Sequence, residues 1–462
     1  MTPLRDRLYY SAGGAVYATK EAAYNIFILL YYTQVLGLNG ALTGTVIACG
    51  LAWDAISDPL VGTWSDRLKT RFGRRFPLLV ASILPLGIGY LGLFTPPAFI
   101  LDDSLLLAGW LLFWSLWVRT FITSYAIPHL ALATEISTDS MERSRLLGWR
   151  MAVLFLTAVL LPASALLLIF GGDADLDGRF IKANYPIYGV YSCLVCWLCA
   201  SVSVFGLRRF ARDDGVPDSE LAAHHPDRPR LVTLTADLFR TFRNRNFRYL
   251  VGYDMAVMVS FGVVSTLNML VWTYYWEFSS VQISVILSVP SLLAVALLLV
   301  SLDALGRHFS QERLLELAAL GLLGNSLWLY PAHVAGWLPE QNQWLMFSLN
   351  FLLMLFFMYC FLVRAIFTQS LTAAISDVHA KQHRLRQEGG FFAAGNFTQK
   401  IATVFGPFYG GLALDVIGLE PNALPGSVNQ SVLDQLVYAY GLGFIPAVVL
   451  SLFLARQIHR KS

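Results

Sequence analysis

The chain has 462 residues, 56% of them hydrophobic and only 14% charged. Soluble globular chains carry about 25% charged residues, so this composition excludes a soluble domain. A formal net charge of +3 is too small to build a nucleic-acid-binding surface.

Apolar runs of roughly 20 residues, each long enough to cross a bilayer as a helix, recur along the chain. They predict twelve spans, at 8–36, 41–65, 77–97, 104–135, 146–171, 184–207, 247–276, 281–303, 312–333, 342–377, 389–418 and 432–456. "MTPLRDR" leads into the first run without a small-residue cleavage pattern, so that helix is expected to remain as a span. The longest polar break, 208–246, divides the rest into an N-terminal six-helix bundle (1–207) and a C-terminal one (247–462), with 208–246 as a cytoplasmic linker. Faint repetition supports duplicated halves. The second span of each half ends in an acid before Gly-Arg, in "GTWSDRLKTRFGRR" and "LDALGRHF". Two such halves fit a transporter plan in which repeats rock around a central site.

Basic residues fall on alternate connections. Arg67, Lys69, Arg71, Arg74 and Arg75 follow span 2, and Arg143, Arg145 and Arg150 follow span 4. The central break is rich in arginine, and Lys381, Arg384 and Arg386 follow span 10. The opposite connections carry Asp102, Asp103, Asp173, Asp175, Asp177, Glu340 and Glu420. The positive-inside rule then places both termini and the linker in the cytoplasm. The expected location is a multi-pass plasma membrane, or the cell inner membrane of a bacterium.

Charge inside a span costs about 2.5–3.5 kcal/mol on insertion scales, and usually faces a cavity or a partner. Such residues are Lys20 and Glu21 in span 1, Asp54 and Asp58 in span 2, Arg119 in span 4, Asp254 in span 7, Arg364 in span 10 and Lys400 in span 11. In "WDAISDPLVG", Asp54 and Asp58 stand four apart on one helix face with Ser57 beside them. Two carboxylates this close repel unless one is protonated or a cation lies between them. A hard cation such as Na+ prefers oxygen ligands, which these residues supply; a shared proton or a structural ion pair are the other readings. Lys400, in "GNFTQKIATVFG", is the natural partner, a tethered cation that would approach the aspartates when no ion is bound. Arg119 and Arg364 either face substrate or pair with Glu21 and Asp254. Lys20 and Glu21, as sequence neighbours, are expected to point to different sides.

The loop after span 2, "SDRLKTRFGRR", reads as a gating latch beyond its topological charge. Asp66 can face a helix end or an arginine, Gly73 permits a tight turn, and Arg67, Arg74 and Arg75 can hold headgroup phosphates or neighbouring acids. Cys193, Cys196 and Cys199 in "CLVCWLC" read as small apolar thiols, not metal ligands. No nucleophile–base constellation or HExxH pattern is present in the sequence, so an enzyme is not expected.

Three stretches, "WDAISDPLVGTWSDRLKTRFGRRFP", "IPHLALATEISTDSMERSRLLGWRM" and "RQEGGFFAAGNFTQKIATVFG", together resemble the glycoside–pentoside–hexuronide:cation symporter branch of the major facilitator superfamily. That branch includes melibiose permease and the sodium-dependent lysophospholipid symporters. The resemblance implies an all-α membrane fold of twelve helices in two pseudo-symmetric bundles, working by alternating access. Its paired helix-2 acids fall on Asp54 and Asp58, the polar residue between them on Ser57, and a cation-site threonine on Thr123. The helix-11 lysine falls on Lys400, near Asn396, and a helix-5 arginine on Arg150. Ala126 stands where melibiose permease has an aspartate, Leu130 where it has an aromatic sugar platform, and Ala18 where it has a helix-1 aspartate that Glu21 would replace. These departures count against a galactoside.

The resulting expectation is a monomeric cation-coupled symporter without a cofactor, its coupling ion Na+ in preference to H+. The cation site would be Asp54, Ser57, Asp58 and Thr123, with Lys400 sensing its occupancy. Arg150 and Arg119 would contact a small polar solute or a lysophospholipid. An H+-driven exporter and a non-transporting sensor or lipid-binding module are the alternatives.

Overall fold

The computed structural model describes residues 2–68, 70, 72–73, 75–137, 139–172, 177–211, 241–338, 343–383 and 388–459. All regular secondary structure among them is helical. The first helix, α1 (Leu4–Ala22), runs on through a π-turn at Ala23–Phe27, one α-turn at Ile28–Leu30 and a second π-turn at Tyr31–Val35. There follow α2 (Gly40–Arg67), α3 (Phe76–Phe94), α4 (Ser104–Ile136), α5 (Ser140–Leu168) and α6 (Asn184–Gly206). After the linker come α7 (Arg245–Leu270, extended by a π-turn at Val271–Tyr275), α8 (Ser280–His308), α9 (Gln311–Leu327), α10 (Gln343–His383), α11 (Glu388–Ile417) and α12 (Gln430–His459).

Side-chain caps start several of these helices. Asn39 accepts from the Leu42 N–H, Asp103 from Leu105 and Leu106, Asp139 from Met141, Asn244 from Phe247 and Ser310 from Arg313. Each satisfies a backbone donor that helix geometry leaves without a partner. Capping by Asp139 explains why α5 begins at Ser140, six residues before the apolar run that predicted it. The ninth span, expected at 312–333, is interrupted at Trp328 and resumes as Leu329–Val334. Pro331 lies just beyond, and its ring excludes a helical carbonyl four residues earlier, at Leu327.

Among the described residues, ten helices are long and apolar enough to cross a membrane. The two outside that set are α1, diluted by Arg5, Asp6, Arg7, Lys20 and Glu21, and α9, which has 17 residues and carries Glu312, Arg313 and Glu316.

The chain clusters into two compact units. One is 1–226 with the short segments 279–284 and 420–423; the other is the remainder. In the first, α1 packs on α5 and α6, α2 on α4, and α3 on α4 and α6. In the second, α7 packs on α11 and α12, and α9 on α10 and α12. Shifting by six helices therefore turns α1–α5, α1–α6, α3–α4 and α3–α6 into their counterparts.

The duplication extends to the end of each opening helix. The Leu36 N–H donates to the Tyr31 carbonyl and Leu38 to Tyr32; Trp276 donates to Val271 and Phe278 to Trp272. Inside each π-turn a threonine hydroxyl, Thr33 or Thr273, donates to the carbonyl four residues back, at 2.7 and 2.6 Å. The exit residue has positive φ in both, Gly37 at 77° and Glu277 at 51°. Sequence alone hides this repeat, because only the threonine is identical within the two turns.

A charged cluster between three helices

Two rows of residues at i, i+4 and i+8 face one another across α2 and α4. On α2 they are Gly50, Asp54 and Asp58; on α4 they are Ser115, Arg119 and Thr123. The Arg119 guanidinium donates through Nη1 to Asp54 Oδ2 at 2.5 Å. Thr123 Oγ1 donates to Asp58 Oδ1 at 2.9 Å, and Ser57 Oγ donates to Thr123 Oγ1 at 3.4 Å. Trp53 Nε1 donates to Thr120 Oγ1 at 3.0 Å. Partner numbers rise together along both helices, so α2 and α4 run parallel. A rise of about 1.5 Å per residue makes each row about 12 Å long.

The fit is close at the guanidinium. A Cβ on Gly50 would sit 2.8 Å from Arg119 Nε. Glycine at that position is therefore what lets the arginine lie against α2. Arg119 is 1% exposed and lies over the Tyr24 ring at 4.5 Å, a cation–π distance.

From α1, Lys20 Nζ approaches Glu21 Oε1 at 2.8 Å and Asp54 Oδ2 at 3.8 Å. It also reaches the Tyr17 hydroxyl at 3.4 Å, while Asn25 Nδ2 donates to Glu21 Oε2 at 3.0 Å. The expectation that Lys20 and Glu21 point apart fails. The long lysine stem folds across the helix surface, so both residues join one network with Asp54.

Asp54, Ser57, Asp58, Thr123, Arg119 and Glu21 thus come together in the first unit. Asp54, Ser57 and Thr123 are buried and Asp58 is half-buried. Arg119 pairs with Asp54 instead of Glu21, because α4 lies directly against α2. Arg364 does pair with Asp254 in the second unit, through Nη1 to Oδ1, and Gln399 Nε2 donates to Asp254 Oδ2 at 2.6 Å. Arg364 lies over Phe361 as Arg119 lies over Tyr24, so each half buries an arginine of its fourth helix beneath an aromatic ring.

The remaining expected residues belong to other elements. Arg150 is buried on α5, its backbone against Gly14 of α1, where a Cβ would meet the Arg150 carbonyl oxygen at 2.4 Å. Lys400, half-buried, and Asn396, exposed, belong to α11 of the second unit. In the loop after α2, Gly73 takes φ 79°, the left-handed value a tight turn requires, and its N–H donates to the Thr70 carbonyl at 3.0 Å. Arg75 Nε meets Glu135 Oε1 at 3.2 Å and Nη1 donates to the Ala131 carbonyl, an arrangement suited to the negative end of α4. Asp66 and Arg67 close α2, but their side chains and all of Arg74 lie outside the described residues. Sequence reasoning missed Gly50, Tyr17, Tyr24 and Asn25. Of these, Gly50 was readable as a small residue one turn before Asp54.

Among curated proteins, the sodium-dependent lysophosphatidylcholine symporter 1 of Gallus gallus is 33% identical over 156 residues, 34% of this chain and 29% of that protein. The putative glycoside/cation symporter YagG of Escherichia coli (strain K12) is 27% identical over 199 residues, 42% of each chain. An uncharacterized symporter, sll1374 of Synechocystis, is 32% identical over 151 residues, 32% of this chain and 27% of that protein. Each match spans less than half of the relative's length. Among solved structures, the D-xylose-proton symporter superposes with a TM-score of 0.63 at 15% identity, covering 98% of this chain and 97% of that one. The nucleoside transporter NupG gives 0.61 at 10% identity, covering 99% and 98%. At such identity these structures establish the fold, that of major facilitator transporters. The sequence profile of a multi-pass membrane family, described as MFS/sugar transport protein, matches residues 9–457, and the chain belongs to that family.

Proposed function

We propose that this protein is a cation-coupled symporter whose coupling ion, Na+, binds against Asp58, Ser57, Thr123 and Asp54. The observation that carries the reading is the convergence of oxygens between α2 and α4: Thr123 Oγ1 donates to Asp58 Oδ1 at 2.9 Å, Ser57 Oγ lies beside it, and Asp54 stands one turn earlier on the same face. Carboxylates this close, four residues apart on a span, are costly unless a cation or proton is shared with them. The donors suit a hard cation, being oxygens only. Asp54 Oδ1 is buried without a hydrogen-bond partner. Pro59 has no N–H for the Ala55 carbonyl one turn earlier, which leaves a further oxygen beside Asp58.

Occupancy of this site would favour solute binding, and by linkage the solute would strengthen the cation. Lys400, Asn396 and Arg150 are the proposed solute and coupling contacts. Arg119 is assigned to that group only after it leaves Asp54. The relatives' names support two solute classes, a glycoside-like polar solute or a lysophospholipid. The basic connections support cytoplasmic termini.

The test is uptake into proteoliposomes under an inward Na+ gradient, with labelled glycosides, hexuronides and lysophosphatidylcholine in turn. Na+-dependent accumulation of one class is expected. Accumulation that follows a pH gradient and ignores Na+ would replace this reading with proton-driven transport. Solute binding without flux under either gradient would leave a sensor or lipid-binding module.

A further inference from the structure

We propose that Arg119 is a tethered counter-cation that competes with the coupling cation for Asp54, so that cation binding is an exchange and not an addition. The inference rests on the cation-coupled reading above. It assigns that competition to a residue of the same helix pair as the site.

Three observations carry it. First, Arg119 holds Asp54 through a single contact, Nη1 to Oδ2. A saturated arginine–carboxylate pair is bidentate, with two parallel N–H···O bonds. Here Arg119 Nε and Asp54 Oδ1 are both buried without hydrogen-bond partners. The pair is in place but incompletely satisfied, which lowers the cost of parting it.

Second, the seat of the guanidinium is shaped for it. Gly50 leaves the space that Arg119 Nε and Cδ fill, with a Cβ at that position 2.8 and 3.1 Å away. The Tyr24 ring backs the cation from the α1 side. A side chain whose purpose was to reach solute would not require a cut-out in α2 one turn before Asp54.

Third, the electrostatics forbid simple addition. Asp54 Oδ2 already faces Arg119 at 2.5 Å and Lys20 at 3.8 Å. A third cation at the same carboxylate would repel both at short range in a medium of low dielectric. A Na+ ion bridging Asp54 and Asp58 can therefore settle only as the guanidinium withdraws. Asp58 and Thr123 offer the ion oxygen ligands, and Arg119 sets how tightly it is held.

The experiment is a Na+ titration of the thermal stability of the purified full-length protein, at constant ionic strength balanced with choline. Wild type, Asp58→Asn, Arg119→Gln and Gly50→Ala are compared. Gly50→Ala keeps every charge and only crowds the guanidinium, so it decides the matter if Arg119→Gln does not fold. Exchange predicts saturable stabilisation of the wild type and its loss in Asp58→Asn. It also predicts a half-saturating Na+ concentration lowered by about tenfold or more in Gly50→Ala and Arg119→Gln. A normal wild-type response, lost in Asp58→Asn but with unchanged or raised half-saturation in Gly50→Ala, would overturn the exchange and leave the cation site standing. No response of the wild type to Na+ would remove the cation site itself, and the exchange with it.

Discussion

Replacing Thr123 with valine exchanges one hydroxyl for a methyl group and leaves the shape of the side chain almost unchanged. The hydroxyl donates to Asp58 Oδ1 at 2.9 Å and accepts from Ser57 at 3.4 Å, and Thr123 is only 4% exposed. Water has little access to replace it. A hydrogen bond to a charged group contributes about 1.5–3 kcal/mol, so Thr123→Val should destabilise the cation-free protein by about that amount. Cation affinity falls by less than the full value, because the hydroxyl serves Asp58 in one state and the cation in the other. A residual difference near 1.4 kcal/mol corresponds to about a tenfold weaker response. The assay is the Na+ dependence of thermal unfolding in detergent, with Thr123→Ser as the control that restores the oxygen. Serine should stay within about twofold of wild type. Valine with the wild-type half-saturation would refute the placement of Thr123 among the cation ligands.

Other consequences can be checked in parallel. Arg364→Met should cost about 3–5 kcal/mol, because it strands Asp254 in the bundle, whereas Arg364→Met combined with Asp254→Asn should recover much of that loss; additive effects in the double-mutant cycle would show that the pair does not interact. Gly406→Ala places a Cβ 2.3 Å from the Gly262 carbonyl carbon, a clash with backbone that rotamers cannot relieve. It should cost at least the roughly 1–3 kcal/mol of ordinary overpacking, read as lost thermal stability, and a wild-type melting temperature would contradict the α7–α11 crossing. A fluorescent protein fused after Ser462 should fluoresce in cells, as a cytoplasmic C-terminus requires, and a dark but expressed fusion would invert the topology.

The part of this architecture that sequence reveals is the part governed by local rules. Residues four apart share a helix face, so Asp54 and Asp58 could be set side by side, and the cost of burying them marked the stretch as a site. Spans were legible because length and hydropathy decide insertion. Pairing was not. Nothing local to Arg119 distinguishes Asp54 from Glu21 as its partner; the choice follows from which helices pack together, a property of chain-distant contacts. Lys20 was misread for a different reason, since the rule that neighbours point apart concerns Cβ directions and ignores a stem long enough to double back. Composition also understates α1, whose Lys20 and Glu21 are polar because they are used, not because the helix is exposed.

The central claim is that the carboxylates of α2 hold a cation. Its most direct test is the heat of Na+ binding to the purified protein by titration calorimetry, for wild type and for Asp58→Asn, with K+ and choline as controls. Saturable binding of about one Na+ per chain in the wild type, absent with K+ or choline and absent in Asp58→Asn, is what a single cation site on these carboxylates predicts. Equal heats for the wild type and Asp58→Asn would contradict it and leave Asp54 and Asp58 as structural partners of Arg119, Lys20 and Thr123.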